Sequence, residues 1–362
     1  VEALMRALAA ILHLVLAGDP SPVPSIYQAE NPVGYERWTA EKANLGRQLF
    51  NDKLLSRDNT ISCASCHDPA HSFADPRPVA IGVGGRKGKR HAPTIVNRAL
   101  GKTQFWDGRS PTLEAQILGP IQNKDEMDLT VEDAMKRLNA SDGYRQAFNH
   151  VFGHEPTPEA LSEAIADYER TLFSVGSPFD RFLAGEQKAM SPSALRGLAI
   201  FGGKARCGQC HSGINFTDED FHVLGVGNSA ADPGRAEVTH SADDVGAFKT
   251  PTLRELTKTG PYMHDGSIAT LSEVIELYDR GGGSKGVKPE SIANLDPKLG
   301  PLQLTADEKA DLLAFLEALT GTVVEGVPAT SSPTSTSSAS GTGSSSSQRT
   351  SSSAPHHSGA HP

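Results

Sequence analysis

What the chain holds little of narrows the field first. Cysteine is scarce: Cys63, Cys66, Cys207 and Cys210 are the only thiols in 362 residues. Basic residues are outnumbered, 34 Lys and Arg against 43 Asp and Glu, for a net charge of −9. Nucleic acid demands a basic surface, so a nucleic-acid partner is excluded. Strand-like alternation is scarce as well, and no stretch approaches the apolar length that spans a bilayer.

What is present points to a large helical protein. The length suits two compact domains, and a 37% hydrophobic content supplies a packed core. Gly 35 and Pro 24 imply many loops. From Met5, "MRALAAILHLVLAG" carries one Arg, about thirteen apolar residues and a small-residue site, the pattern of a secretory signal over 1–18. An ordinary amphipathic helix is the alternative; export to the periplasm is the expectation. At the other end, 326–362 is Ser-rich. Its low-complexity part, "ATSSPTSTSSASGTGSSSSQRTSSSAPHHSGAHP", buries too little apolar surface to offset chain entropy and reads as a disordered tail.

Between these ends the periodic segments are helical. "TPEALSEAIADYERTLFSV" (157–175) opens on Thr and Pro and puts Leu161, Ile165, Tyr168 and Leu172 on one face. "TADEKADLLAFLEALT" (305–320) has Thr305 and Glu308 at capping-box spacing and buries Leu312, Leu313, Leu316 and Leu319. "TLSEVIELYDRGGG" (270–283) is a helix stopped by glycines. An internal repeat sets the layout: "APTIVNRALGKTQFWDGRSPTLEA" (92–115) matches "TPTLRELTKTGPYMHDGSIATLSE" (250–273) without a gap. The expected fold is mainly α, with long loops and two tandem domains, 19–176 and 177–325, joined near "SVGSPFDRF".

The four cysteines all fall in two copies of Cys-x-x-Cys-His, "CASCH" and "CGQCH". Two thiols at this spacing add to the two vinyl groups of one haem, and the following histidine ligates its iron, so the pattern reads as c-type haem attachment. A redox disulfide would need βαβ context, which is missing. A zinc ion held by the four thiols would leave His67 and His211 without a role. Two covalent haems with proximal ligands His67 and His211 are therefore expected.

Taken together, "LGRQLFNDKLLSRDNTISCASCHDPAHSF", "APTIVN", "FWDGR", "GPIQNKDEM", "FKTPTLREL" and "GPYMHDGSIATLSEVIELY" resemble the bacterial di-haem cytochrome c peroxidase family, which includes MauG; the likeness spans roughly residues 38 to 322. The resemblance implies two cytochrome c-type domains, each enclosing one haem, with the first the peroxide site and the second the electron-transfer site. It implies that Glu126 is the distal acid–base group, Gln116 a distal glutamine beside it, and Trp106 the indole between the haems. It also implies calcium between the domains, with backbone carbonyls from Thr259 and Pro261. His91 stands where the family has a calcium-binding asparagine, and imidazole is a poor calcium ligand beside oxygen donors. A second departure is Val83: in "AIGVGG" it replaces the distal histidine that blocks the peroxide haem in some members, so the resemblance implies an open first iron. His71 and His91 are the only substitutes nearby.

The resemblance places Tyr278 as sixth ligand of the second haem, as in MauG, with Met263 the other donor close by. A core tyrosine on an amphipathic helix is the plainer reading of Tyr278. Thioether ligation raises a haem potential, whereas an anionic phenolate favours the ferric state. Peroxide would be handled in the first domain, with Glu126 moving a proton between its oxygens; Trp106 would pass oxidising equivalents, unless it is a core anchor. His264 and Asp265 are expected either against the second haem or organising their loop, and Arg109 at a propionate. The reading is a peroxidase with a MauG-like second haem. The alternatives are a peroxide scavenger fed by a small cytochrome c or cupredoxin, and a non-catalytic electron-transfer cytochrome. A protein substrate and a homodimer are further expectations that the likeness carries.

Overall fold

The structure, a computed structural model, describes residues 23–30 and 32–326. The signal reading of 1–18 and the disordered-tail reading beyond Gly326 lie outside the described residues. Helices dominate: α1 (Ala40–Asn51), α2 (Leu113–Gln122), α3 (Val131–Ala140), α4 (Asp142–Phe152), α5 (Pro158–Glu169), α6 (Pro178–Leu183), α7 (Pro192–Gly202), α8 (Ala236–Thr239), α9 (Leu271–Asp279) and α10 (Ala306–Glu317). Strands β1 (Leu172–Val175) and β4 (Thr322–Glu325) form one antiparallel ribbon, and β2 (Phe221–Val223) and β3 (Ala247–Lys249) another. Among the described residues no helix is long and apolar enough to cross a membrane.

Local chemistry sets the helix starts. Thr39, Thr112, Thr157 and Ser191 each accept a first-turn N–H through the side-chain oxygen, which satisfies a donor the helix cannot pair itself. Thr305 with Glu308, and Thr270 with Glu273, form reciprocal capping boxes. Helix α9 gives way at Gly281, Gly282 and Gly283, all at positive φ, where side chains are strained.

The expected helix over 157–175 is shorter than its periodicity suggests. It ends at Glu169, and Leu172 belongs to β1, opposite Glu325. The chain there is drawn into extended form by a strand that lies far along the sequence. In α10, Leu313 is only half-buried, while Phe315 is fully buried in its stead.

Three apolar clusters form the interior, a small one around Tyr27, Ala99 and Phe173 and two large ones. Of the large ones, one gathers Leu45, Leu49, Phe50, Ile117, Leu161 and Ile165; the other is a set of edge-to-face rings, Phe179, Phe201, Phe216 and Phe315, with centroids 5.1–6.1 Å apart. Each of these two is organised by a helix crossing at a glycine. A Cβ on Gly46 of α1 would lie 1.8 Å from the Ala164 carbonyl of α5, and one on Gly197 of α7 would lie 1.9 Å from the Asp311 carbonyl of α10.

The repeat is visible as matched local geometry. Asn97 and Glu255 both take φ 62°, Phe105 and Met263 have φ 67° and 73°, and bridges Gln104–Ser110 and Tyr262–Ile268 close equivalent turns. Buried polar bonds tie the two halves into one body. Asn97 Nδ2 donates to Asn215 Oδ1 at 2.8 Å, while Glu255 accepts from Ser72, Ser174 and the Gly321 N–H. Arg254, wholly buried, pairs with Asp180 at 2.6 Å and donates to the Ile214 carbonyl.

Candidate functional site

Each Cys-x-x-Cys-His stretch folds into one tight turn. The Cys66 and His67 N–H groups both donate to the Cys63 carbonyl, at 3.1 and 2.9 Å, and Cys210 and His211 do the same to Cys207, at 3.2 and 2.9 Å. The turn gathers two thiols and an imidazole on one wall. Cys63, Cys66 and His67 line a cavity of about 410 Å³; Cys207, Cys210 and His211 line a second of about 210 Å³. None of the four thiols is in a disulfide. Burial pushes the Cys63 and Cys207 thiols up to about 12.

The imidazoles are oriented alike. His67 Nδ1 lies 3.1 Å from the Phe73 carbonyl and His211 Nδ1 lies 3.0 Å from the Phe216 carbonyl. A proton on Nδ1 given to that carbonyl leaves the lone pair on Nε2, the arrangement of a metal-ligating histidine. Burial pulls both histidines below the usual range, which keeps them neutral. Paired thiols, a neutral fixed imidazole and an apolar cavity are a donor set that fits haem, twice.

The first cavity also carries the expected distal groups. Gln116, on α2, and Glu126, in the loop after it, both line it. Asn123 Nδ2 donates to Glu126 Oε1 at 2.7 Å, while Oε2 and the Gln116 amide make no hydrogen bond to the described protein. Burial raises the Glu126 carboxyl, against the opposing pull of Asn123 and the Arg109 guanidinium. Arg109 also lines the cavity; its Nη1 is 2.9–3.0 Å from both Asp107 oxygens and its guanidinium lies 3.4 Å from the Phe105 ring centroid, with Nε and Nη2 left over.

The "AIGVGG" turn closes over this acid. The Val83 N–H donates to the Glu126 carbonyl at 2.8 Å, and a Cβ on Gly82 would strike the same carbonyl at 2.4 Å. Val83 is fully buried and does not line the cavity. His71 is outside it too, with Nδ1 2.9 Å from Asp68. His91 does line it, but Nδ1 is engaged with the Arg77 carbonyl at 3.1 Å.

Trp106 stands in the partition, lining both cavities together with His91, Lys249 and Thr252. Its Nε1–H donates to the His91 carbonyl at 2.9 Å, its own carbonyl accepts from Lys249 N–H at 2.8 Å, and His91 N–H donates to the His264 carbonyl at 2.7 Å. The indole is thus held by His91, which His264 of the second copy holds in turn. In the second cavity Tyr278 and Met263 both line the wall, as does His264, stacked on Phe248 at 3.6 Å. Asp265 does not; it accepts from Ser267 N–H. The Tyr262 hydroxyl is taken by the Leu256 carbonyl at 2.8 Å, whereas the Tyr278 hydroxyl has no hydrogen bond in the described protein. Burial pushes the Tyr278 phenol up, so a cation must draw off its proton for it to act as an anionic donor.

Thr259 and Pro261 line the second cavity. With His91 tied to Arg77 in the asparagine's stead, the residues present fit calcium poorly, since that ion takes six to eight oxygens. Among the described residues, the one group of three ligand-type side chains is Cys210, Asp218 and His222, within 4.8 Å. A thioether at Cys210 would consume it.

Three features escaped sequence reasoning. Asn123 orients Glu126 from three residues upstream, and its offset in "NKDE" is the only trace of that. Gly82 is needed for close approach. Glu169, read as one more residue of a helix, lines the first cavity at 5% exposure.

Comparison with known proteins identifies relatives over most of the chain. Residues 40–188 match the family model for di-haem cytochrome c peroxidase. The chain is 39% identical over 304 residues to the methylamine utilization protein MauG of Methylorubrum extorquens, covering 83% of this chain and 82% of that one. It is 37% identical to the cytochrome c551 peroxidase of Nitrosomonas europaea, covering 78% and 80%. Among solved structures, a MauG-like protein associated with microbial copper homeostasis superposes with a TM-score of 0.73 at 34% identity, covering 85% of this chain and 95% of that one. The diheme peroxidase BthA of Burkholderia thailandensis shares the fold, with a TM-score of 0.67 at 24% identity over 79% and 87%.

Proposed function

This chain belongs to the di-haem cytochrome c peroxidase family, an oxidoreductase family, and from that premise we propose that it reduces hydrogen peroxide in the cavity of Cys63, Cys66 and His67. The observation that carries the reading is Glu126. It is a half-buried carboxyl with one free oxygen, in the same cavity as a neutral histidine whose lone pair is fixed. Bound through Cys63 and Cys66, haem would supply the iron that binds peroxide and accepts its oxidising equivalents.

The chain's residues do the rest. Glu126 takes the proton from one peroxide oxygen at Oε2 and returns it to the other, a transfer that needs one titratable group within reach of both. Asn123 holds Oε1 and so aims Oε2. Gln116 orients the peroxide, and the Arg109 guanidinium favours the ionised form of Glu126. The Val83 turn pins the loop through its N–H bond to the Glu126 carbonyl.

In the second cavity, Cys207, Cys210 and His211 would hold a second haem, and Tyr278 would be a further donor to its iron. A phenolate favours the ferric state over the ferrous one, the opposite of a thioether. Trp106 carries oxidising equivalents between the two, supported by its place in the partition. This makes the chain MauG-like. Its reducing partner is either a small redox protein or a protein substrate whose side chains are oxidised. Covalent attachment of c-type haem takes place outside the cytoplasm, and the leader pattern agrees with periplasmic work. The test is to mix the di-ferric protein with hydrogen peroxide and follow the Soret and near-infrared bands. A charge-resonance band shared by both irons supports the MauG-like form; turnover only with an added cytochrome c supports the scavenger. No reaction with peroxide refutes both.

A further inference from the structure

We propose that Glu169 is the proton-exchanging carboxyl of the first cavity: it takes up one proton when the haem held there gains an electron and gives it back on oxidation. This rests on the haem reading above, but not on peroxide being the substrate. Glu169 is the last residue of α5, 5% exposed, and lines the cavity with Cys63, Cys66 and His67. Its carboxyl makes no hydrogen bond and no ion pair with any described side chain.

The cations close to it are all committed elsewhere. Arg170 next in sequence gives Nη1 to Asp167 at 2.9 Å and Nη2 to Glu114 at 2.5 Å. Arg98, from the first repeat, is spent on Glu219 at 2.8 Å and on the Thr103 carbonyl. Glu114, on α2, adds a like charge. Around the cavity, Arg109 faces Asp107, and Lys249 faces Glu219 at 3.4 Å. A buried carboxylate without a partner is costly, so the neutral acid is the favoured form. Burial pushes this group up to about 8, and the Arg170 and Arg98 charges only partly oppose it.

Glu126, in the same cavity, has Asn123 on one oxygen and Arg109 opposing its rise. Two carboxyls in different environments take different roles: Glu126 moves a proton within the bound substrate, and Glu169 keeps charge balanced when electrons arrive. The couple balances simply. Above pH 8, where the carboxyl is ionised beside the oxidised haem, one electron from a one-electron donor converts ferric to ferrous iron, one proton passes from bulk water to the Glu169 carboxylate, and the only bond formed is O–H.

The test uses the holoprotein with both haems attached. The midpoint potential of the first haem is measured by mediated spectropotentiometry at pH values well below and well above 8. In the parent it should hold steady on the acid side and fall by one proton per electron above it; in Glu169→Gln the fall should disappear. A slope as steep in Glu169→Gln as in the parent overturns the proposal and moves the proton to another titrating group of the cavity, Lys249 or a haem propionate. Infrared difference spectra of the unaltered protein at a pH above 8 give a second readout: reduction there should raise a carboxylic C=O band that shifts in D2O. No such band also overturns it. Neither measurement involves peroxide, so a failure of the peroxidase reading would show separately, as an unreactive protein with an intact pH-dependent potential.

Discussion

Replacing Glu126 by Gln isolates the proton transfer from everything else at the site. The amide is the same size, and its oxygen can still accept the Asn123 Nδ2–H now held at 2.7 Å, so cavity shape and haem attachment stay as they are. What goes is the basic oxygen. General acid–base catalysis contributes roughly 100- to 10 000-fold, about 3 to 5 kcal/mol of barrier, and the second-order rate with peroxide should fall by that factor. Stopped-flow mixing of the di-ferric protein with hydrogen peroxide, read at the Soret band, gives the rate directly. The pH profile adds a sign. The carboxyl must be ionised to act, and burial raises its pKa, so the parent rate should drop as pH falls, with a midpoint above the ordinary carboxylate range. The variant should show no such limb. A Gln variant as fast as the parent, with the same acid limb, would falsify the role given to Glu126.

Other outcomes follow from the same geometry. Tyr278→Phe removes a hydroxyl that has no hydrogen bond in the described protein and should change the spin state of the second haem in electron paramagnetic resonance; an unaltered spectrum would mean the tyrosine only packs. Trp106→Phe keeps an aromatic ring in the partition but loses the indole N–H bond to His91, and should slow equilibration between the haems while the first still reacts with peroxide. Gly197→Ala puts a methyl group 1.9 Å from the Asp311 carbonyl, an overpacking that should cost about 1–3 kcal/mol or more, read as a lower denaturant midpoint at unchanged m-value. Arg254→Ala strands Asp180 as an unpaired buried charge and should cost about 3–5 kcal/mol in the same assay. If either variant unfolds like the parent, the close approach or the buried pair carries no such weight.

Short-range patterns in the sequence determined much of this protein. Cys63-x-x-Cys66-His67 and its copy need only one turn to bring two thiols and an imidazole together, so their chemistry is legible locally. Thr305 and Glu308 specify a helix start over three residues, and the gapless repeat from Ala92 and Thr250 foretold the matched turns around Trp106 and His264. The tertiary structure decided what depends on distant partners. Leu172 leaves the helical period because Glu325 waits across a ribbon. Gly46 and Gly197 matter because a carbonyl from another helix approaches within a bond length or so of where a side chain would begin. Glu169 looked like any acid in an amphipathic stretch; only the packing of α5 against the cavity, with Arg98 and Arg170 pledged to other carboxylates, leaves it buried and alone. Periodicity reports which way a residue faces, but the cost of a buried charge is set by its neighbours in space.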